Sequence, residues 1–181
     1  IDMYKEFYEL QGENVILAEG AQGFYLDIDW GDYPYVTSSH CGIGSVLLNG
    51  FQAGSIRNVY GIAKAYDTYV GAKQFEPEGD ETLQRLRELG QEYGATTGRP
   101  RQCNWLNLDN TIKGVMMNGV TTMVIKKGDI LRELDVYQLY YNGALIGFDN
   151  MGKMYSFIVE KIEKHCGRDI IVKFSENKHG L

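Results

Sequence analysis

Hydrophobic and polar positions along the chain alternate between two periods. In "GDETLQRLRELG", Leu83, Leu86 and Leu89 recur at helical spacing, with Arg85 and Arg87 turned away from that stripe. Asp80 is placed to cap this helix, Glu81 falls in its first turn, and Gly90 is expected to stop it. "WLNLDNTIKGVMMNG" sets Leu108, Ile112, Val115 and Met116 at the same period, so a second helix is expected from near Trp105 to Gly119. "GKMYSFIVEKIEKHCG" predicts a third, with Phe157, Ile158, Ile162 and His165 along one side and Gly167 closing it. Val46-Leu47-Leu48, between Gly42 and Gly54, predicts a short one.

Strand-like segments lie between these helices. "NVILAEG" is a short apolar run closed by glycine and predicts a buried strand. "RNVYGIAKAYDTYVG" alternates and predicts one strand, "VTTMVIKKGD" predicts a strand entering a polar turn, and "DIIVKF" predicts a last strand. "VYQLYYNGALIGF" carries the sharpest local signal, because Asn142-Gly143 between apolar runs demands a type I′ hairpin. "GAQGFYLDIDWGDYPY" predicts a long structured loop. Alternating strands and helices predict an α/β fold with a mostly parallel sheet flanked by helices, plus one β-hairpin.

Composition narrows the functional classes. The 181 residues carry 24 acidic and 18 basic side chains, a net charge of −6. That balance argues against broad binding of nucleic acid or of membrane surfaces, so any anion must be held by a few placed cations. Hydrophobic content is 44%, with no apolar run long enough to span a bilayer. Three scattered cysteines, Cys41, Cys103 and Cys166, suit a reducing compartment better than a disulfide framework.

Three segments could carry chemistry. "GATTGRPR" places the hydroxyls of Thr96 and Thr97 beside Ala95 and just before Arg99 and Arg101. Pro100 pushes Arg99 toward extended geometry, so both arginines are expected on one face, where they could grip a carboxylate or phosphate. The bland alternative is a surface loop paired with the acidic surplus. "KKGD" follows a strand end, where α/β sheets bind ligands. Its Lys127 and Asp129 could read guanine, the carboxylate accepting from the ring N–H and the exocyclic amine; an ordinary polar turn is the alternative. "DIDWGD" offers Asp27, Asp29 and Asp32 to a hard cation, against the reading of an acidic structural turn. His40-Cys41 lacks the companion residues of a metal motif.

Taken in order, the motifs resemble the adenylosuccinate synthetases. "EGAQGFYLDIDWGDYPYVTSS" is similar to that family's "EGAQG…LDIDxGxYPxVTSS", "GATTGRPRQCNW" to "GATTGRxRRCGW", "KAYDTYVG" to "KAYxTRVG", and "KKGD" to "TKLD". The resemblance implies a P-loop NTPase-like fold and a cytoplasmic, homodimeric ligase. Such an enzyme joins L-aspartate to IMP with GTP as co-substrate and Mg²⁺ as cofactor, in purine biosynthesis. It implies IMP contacts at Gln22, Thr37, Val70 and Arg99. Aspartate contacts are implied at Ala95, Thr96, Thr97, Arg99 and Arg101, and GTP contacts at Arg101, Lys127, Asp129 and Ser175.

The family's phosphate-binding "GDEGKGK" loop has no counterpart here, nor do the catalytic aspartate and histidine and the Mg²⁺ ligands that accompany it. Residues 1–181 are therefore expected to be a C-terminal portion of such a domain. Tyr69 replaces the arginine of "TRVG", His40-Cys41 replaces the usual "NT", and "FSENKHG" departs from "SxGPxR". Alternatives are a variant using a guanine nucleotide as acceptor, a non-catalytic nucleotide-binding module, and a Mg²⁺-dependent hydrolase built on "DIDWGD".

Overall fold

The computed structural model describes residues 2–176, which fall into two units, Ile1–Arg57 and Asn58–Leu181. The "FSENKHG" departure from Asn177 onward lies outside the described residues.

In the first unit, helix α1 spans Met3–Glu13 and the short helix α2 spans Gly44–Leu48, as the Val46-Leu47-Leu48 run predicts. Between them the chain is mostly irregular, with a 3-10 turn at Phe24–Leu26. The expected strand at "NVILAEG" does not form. Residues 14–20 are non-regular and exposed, with Val15 and Leu17 at 101% and 83% of full exposure. An apolar run becomes a buried strand only where neighbours pair and pack with it, and Val15, Ile16 and Leu17 stay exposed here.

The second unit holds a three-stranded parallel sheet in the order β1-β4-β7: Tyr60–Lys64, Thr122–Lys126 and Ile171–Ser175. A second sheet runs β2-β3-β5-β6: Tyr66–Tyr69, Gln102–Asn107, Gln138–Tyr141 and Ala144–Gly147. There β3 and β5 are parallel, while β2 and β6 pair antiparallel at the two edges. The one strand expected over 57–71 is thus two, parted at buried Ala65 and belonging to different sheets. Asn142 and Gly143, at φ 50° and 72°, make the predicted hairpin turn.

Helices α3 (Glu81–Gly90), α4 (Leu108–Met117), α5 (Gly128–Leu134) and α6 (Met151–Cys166) complete the unit. Leu83 and Leu86 of α3, Ile112 and Val115 of α4, Leu131 of α5 and Ile158 and Ile162 of α6 share one core with Met123, Ile125 and Leu139 of the strands. Asp80 caps α3 as expected, accepting from the N–H groups of Thr82 and Leu83.

Other expectations need correcting. Gly90 lies inside α3, and Gln91, at φ 52°, makes the left-handed C-cap. The helix expected from Trp105 starts at Leu108, because residues 102–107 form β3. Asn107 divides the two elements, its side chain accepting from the Asn110 N–H at 2.9 Å. Met116 and His165 are exposed. Arg87 does not turn to solvent: it is ion-paired to Glu76, which stands outside the helix.

Candidate functional site

The parallel sheet brings Lys64, Lys126 and Ser175 into register at the carboxyl ends of its three strands. Ligands of α/β sheets are bound outside this edge. From Lys126 the chain turns sharply. Lys127 takes φ 66°, and α5 begins at Gly128, which has the Tyr155 hydroxyl packed where a Cβ would stand. Asp129 is left exposed in the first turn of α5. The Lys127 Nζ donates to the carbonyl of Gly90, the last residue of α3, at 2.9 Å. Ser175 is buried.

That loop is narrower than sequence suggests. Tyr93 and Pro100 form an antiparallel bridge, the Gly94 N–H donates to the Arg99 carbonyl at 2.8 Å, and the Arg101 N–H donates to the Glu92 carbonyl at 3.0 Å. Ala95, Thr96 and Thr97 form the exposed tip, and Gly98 turns it at φ 64°. Thr97 Oγ1 accepts the Arg99 N–H at 3.3 Å.

The two arginines behave differently. The Arg99 guanidinium is exposed and has no partner among the described residues. Arg101 is held in three ways. Its carbonyl accepts from Arg87 Nε at 2.7 Å, its N–H is bonded to Glu92, and one guanidinium nitrogen lies 3.0 Å from Glu92 Oε2. The expected convergence of two free forks is therefore replaced by one free fork and one anchored.

Glu92 is the residue that sequence reasoning passed over. It is 2% exposed and its carboxylate is saturated: Oε2 accepts from Lys64 Nζ at 2.7 Å and from Arg101, and Oε1 accepts from the Tyr66 hydroxyl at 2.7 Å. Burial pushes its pKa up, but the bonds from Lys64 and Tyr66 and the charges of Lys64 and Arg101 outweigh this and hold it below the ordinary value. Burial, helped by the Arg101 and Lys127 charges, holds Lys64 below its ordinary value even though Glu92 pulls it up. Tyr66 is driven above its usual range by burial and by Glu92. The available signal was a lone acid just past a helix end, at the root of an arginine loop, with the strand-terminal Lys64 elsewhere in the chain.

Val70, expected near a ribose, is exposed just after β2. Asp67 on β2 is half-buried. Burial pushes its carboxyl up to about 6, against a bond from the Asn107 N–H and the charge of Lys64.

In the first unit, Gln22 stands exposed at φ 59°, a conformation that residues other than glycine seldom adopt. The Thr37 N–H donates to the Leu26 carbonyl at 2.8 Å. Asp27 organises the acidic loop: Oδ1 accepts from the N–H groups of Asp29 and Trp30 at 2.9 and 3.1 Å, Oδ2 from those of Cys41 and Gly42 at 2.6 and 3.3 Å. Asp29 and His40 stand close by, with His40 Nδ1 3.4 Å from Asp29 Oδ2. This trio does not suit Mg²⁺. The oxygens of Asp27 are already committed to four N–H donors, and imidazole is a poor partner for so hard a cation.

No helix among the described residues is long and apolar enough to cross a membrane.

The sequence matches the adenylosuccinate synthetase family over residues 2–155. It is 43% identical over 150 residues to the adenylosuccinate synthetase of Petrotoga mobilis, covering 81% of this chain and 36% of that protein. With the Legionella pneumophila enzyme it shares 47% over 131 residues, 71% of this chain and 30% of that one. The chain thus spans about a third of the length of these curated relatives. The fully ligated adenylosuccinate synthetase of Plasmodium falciparum superposes with a TM-score of 0.75 at 27% identity, over 94% of this chain and 50% of that one. A cyanophage S-2L succinoaminodeoxyadenylate synthetase, 19% identical, shares the fold at a TM-score of 0.60, over 90% of this chain and 54% of that one. With the motifs in order and the α/β architecture in place, the chain belongs to the adenylosuccinate synthetase family.

Proposed function

We propose that this chain supplies the aspartate-binding loop and the guanine-reading edge of a GTP-dependent ligase that joins L-aspartate to IMP. In that reaction the 6-oxygen of the base is phosphorylated, and the aspartate amine then displaces phosphate at C6. Arg99 and Arg101 bind the carboxylates of aspartate, assisted by Ala95, Thr96 and Thr97 at the loop tip. Arg99 also faces IMP and Arg101 also faces GTP. Gln22, Thr37 and Val70 hold IMP. Asp129 accepts the guanine N–H groups, the Lys127 stem packs on the base, and Ser175 lines the same edge. The phosphate loop and the Mg²⁺ ligands are assigned to sequence other than these residues, and the active protein is a homodimer.

One observation carries the reading most strongly. Lys127 of the base-reading pair is bonded to Gly90, two residues before the Glu92 that anchors Arg101 of the aspartate loop. These two bonds tie the residues proposed for guanine and for aspartate to one short segment, residues 90–92, which supports placing both in one site.

The test is ligation by the full-length gene product. Adenylosuccinate is expected only when IMP, GTP and L-aspartate are all present. Arg101→Leu removes charge-assisted bonds of about 1.5–3 kcal/mol, raising the aspartate requirement roughly 10- to 100-fold. Asp129→Asn relaxes the preference for GTP over ATP. An unchanged aspartate dependence in Arg101→Leu, or product formed only from a guanine nucleotide acceptor, overturns the reading.

A further inference from the structure

Glu92 lies outside the tip assigned to aspartate, yet three cations of the site are tied to its segment: Lys64 and Arg101 to its carboxylate, and Lys127 to the Gly90 carbonyl. Tyr66 crosses Gly90 to reach the other carboxylate oxygen, and a Cβ on Gly90 would fall 2.4 Å from that hydroxyl. We propose that Glu92 is a positioning residue for carboxylate recognition: gripped by Lys64 and Tyr66, it holds Arg101 by one guanidinium nitrogen and presents the remaining N–H donors to an incoming carboxylate. This rests on the aspartate reading above.

A guanidinium offers five N–H donors, and Glu92 engages it through a single nitrogen. The Arg101 side chain remains 33% exposed, so its unused donors can be reached. Its backbone is already fixed by Arg87 and by the Glu92 carbonyl. A side chain ordered before binding loses less freedom when the ligand arrives.

Glu92 could instead be a competitor that the ligand must displace, in which case neutralising it would tighten binding. Charge bookkeeping opposes this. Glu92, Lys64 and Arg101 together carry one positive charge. Without the glutamate charge, half-buried Lys64 keeps the Thr68 hydroxyl at 3.0 Å, the face of the Tyr66 ring and the charge of Asp67, while Arg101 and Lys127 still repel it. Lys64 then holds its proton less tightly, which offsets part of the charge gained. What is lost is the orientation of Arg101.

The test uses NMR of the arginine and lysine side chains in the full-length gene product with IMP bound. In the wild type, the Arg101 guanidinium is expected to rotate slowly about its Nε–Cζ bond, and in Glu92→Gln to rotate fast. Lys64 in Glu92→Gln is expected to lose its proton at lower pH, because the charge that favoured its protonated form is gone. On titration with L-aspartate, the Arg101 signals of the wild type shift. Glu92→Gln binds about tenfold more weakly, and Glu92→Asp recovers part of the loss. Tyr66→Phe keeps the charge and removes one anchor, so a loss of about threefold is expected, and this variant decides the matter if Glu92→Gln does not fold. Free rotation of Arg101 in the wild type, or equal or tighter binding in Glu92→Gln, overturns the proposal. A wild type whose Arg101 ignores L-aspartate overturns the substrate reading instead, and the rotation measurement still decides whether Glu92 positions the arginine.

Discussion

The two units are organised by opposite means. In the second, a continuous apolar core runs from Ala65 to Ile170 and joins both sheets to four helices. In the first, Asp27 is the only buried residue among those described, and what it gathers is backbone: four N–H groups, from residues 29–30 and from residues 41–42. One unit is held by area removed from water, the other by a single saturated charge. The first kind of cohesion is spread over many side chains; the second is concentrated on one.

The largest effect that separates them is expected from Leu86→Ala. Truncating this fully buried leucine costs the second unit about 2–5 kcal/mol. Thermal melting would show the loss. A charge tests the second unit from the other side. The Asp67 carboxyl, raised to about 6 from 3.8, binds its proton more tightly folded than unfolded. Its contribution to stability is therefore full below about pH 4 and is lost as pH rises through 6. Asp67→Asn should remove this dependence, of which about 1.4 kcal/mol falls between pH 5 and pH 8, when melting is compared at those two values.

In the first unit, Asp27→Asn replaces two acceptor oxygens with one acceptor and one donor, so two of the four N–H groups lose their partner. A cost of about 1–3 kcal/mol is expected, read as faster exchange of the Asp29, Trp30, Cys41 and Gly42 amides. Acid should act in the same direction. Although burial raises it, the Asp27 carboxyl lies below its ordinary value because backbone N–H groups donate to it. Its stabilisation is present above the unfolded value and disappears as pH falls through the folded one. The smallest effect is expected from Leu17→Ser, within about 0.5 kcal/mol, because the side chain is already in solvent. A large loss there would mean that "NVILAEG" is packed after all.

The same contrast decides what could be read from sequence. Where burial shapes the chain, period and caps are visible: Leu83 and Leu86 of α3, Asp80 before them, and the obligatory turn at Asn142-Gly143. The misreadings in the second unit occur at junctions. Trp105, Leu106 and Leu108 form one apolar run, which hides the change from strand to helix that Asn107 makes. Ala65 gives no sign that β1 and β2 part company. In the first unit, apolarity at Val15, Ile16 and Leu17 does not correspond to burial, while the aspartate that holds the loop looked like any other acidic turn. The candidate site divides similarly. The motif resemblance picks out Arg101 and Lys127 by residue type, but that Glu92 stands between Lys64 and Arg101 depends on how two loops and a strand end meet, which no local pattern encodes.

Because Lys64, Lys126 and Ser175 end their strands at one level, the edge tolerates length changes unevenly. A single residue inserted within β4 would move every later side chain of that strand to the opposite face, carrying Ile125 out of the core and displacing Lys127 from Gly90 in the same step. The same insertion at the exposed tip around Thr96 would leave all three strand ends aligned. Length variation compatible with folding is therefore confined to connections, and the spacing from Thr122 to Asp129 is as constrained as the identity of any residue within it.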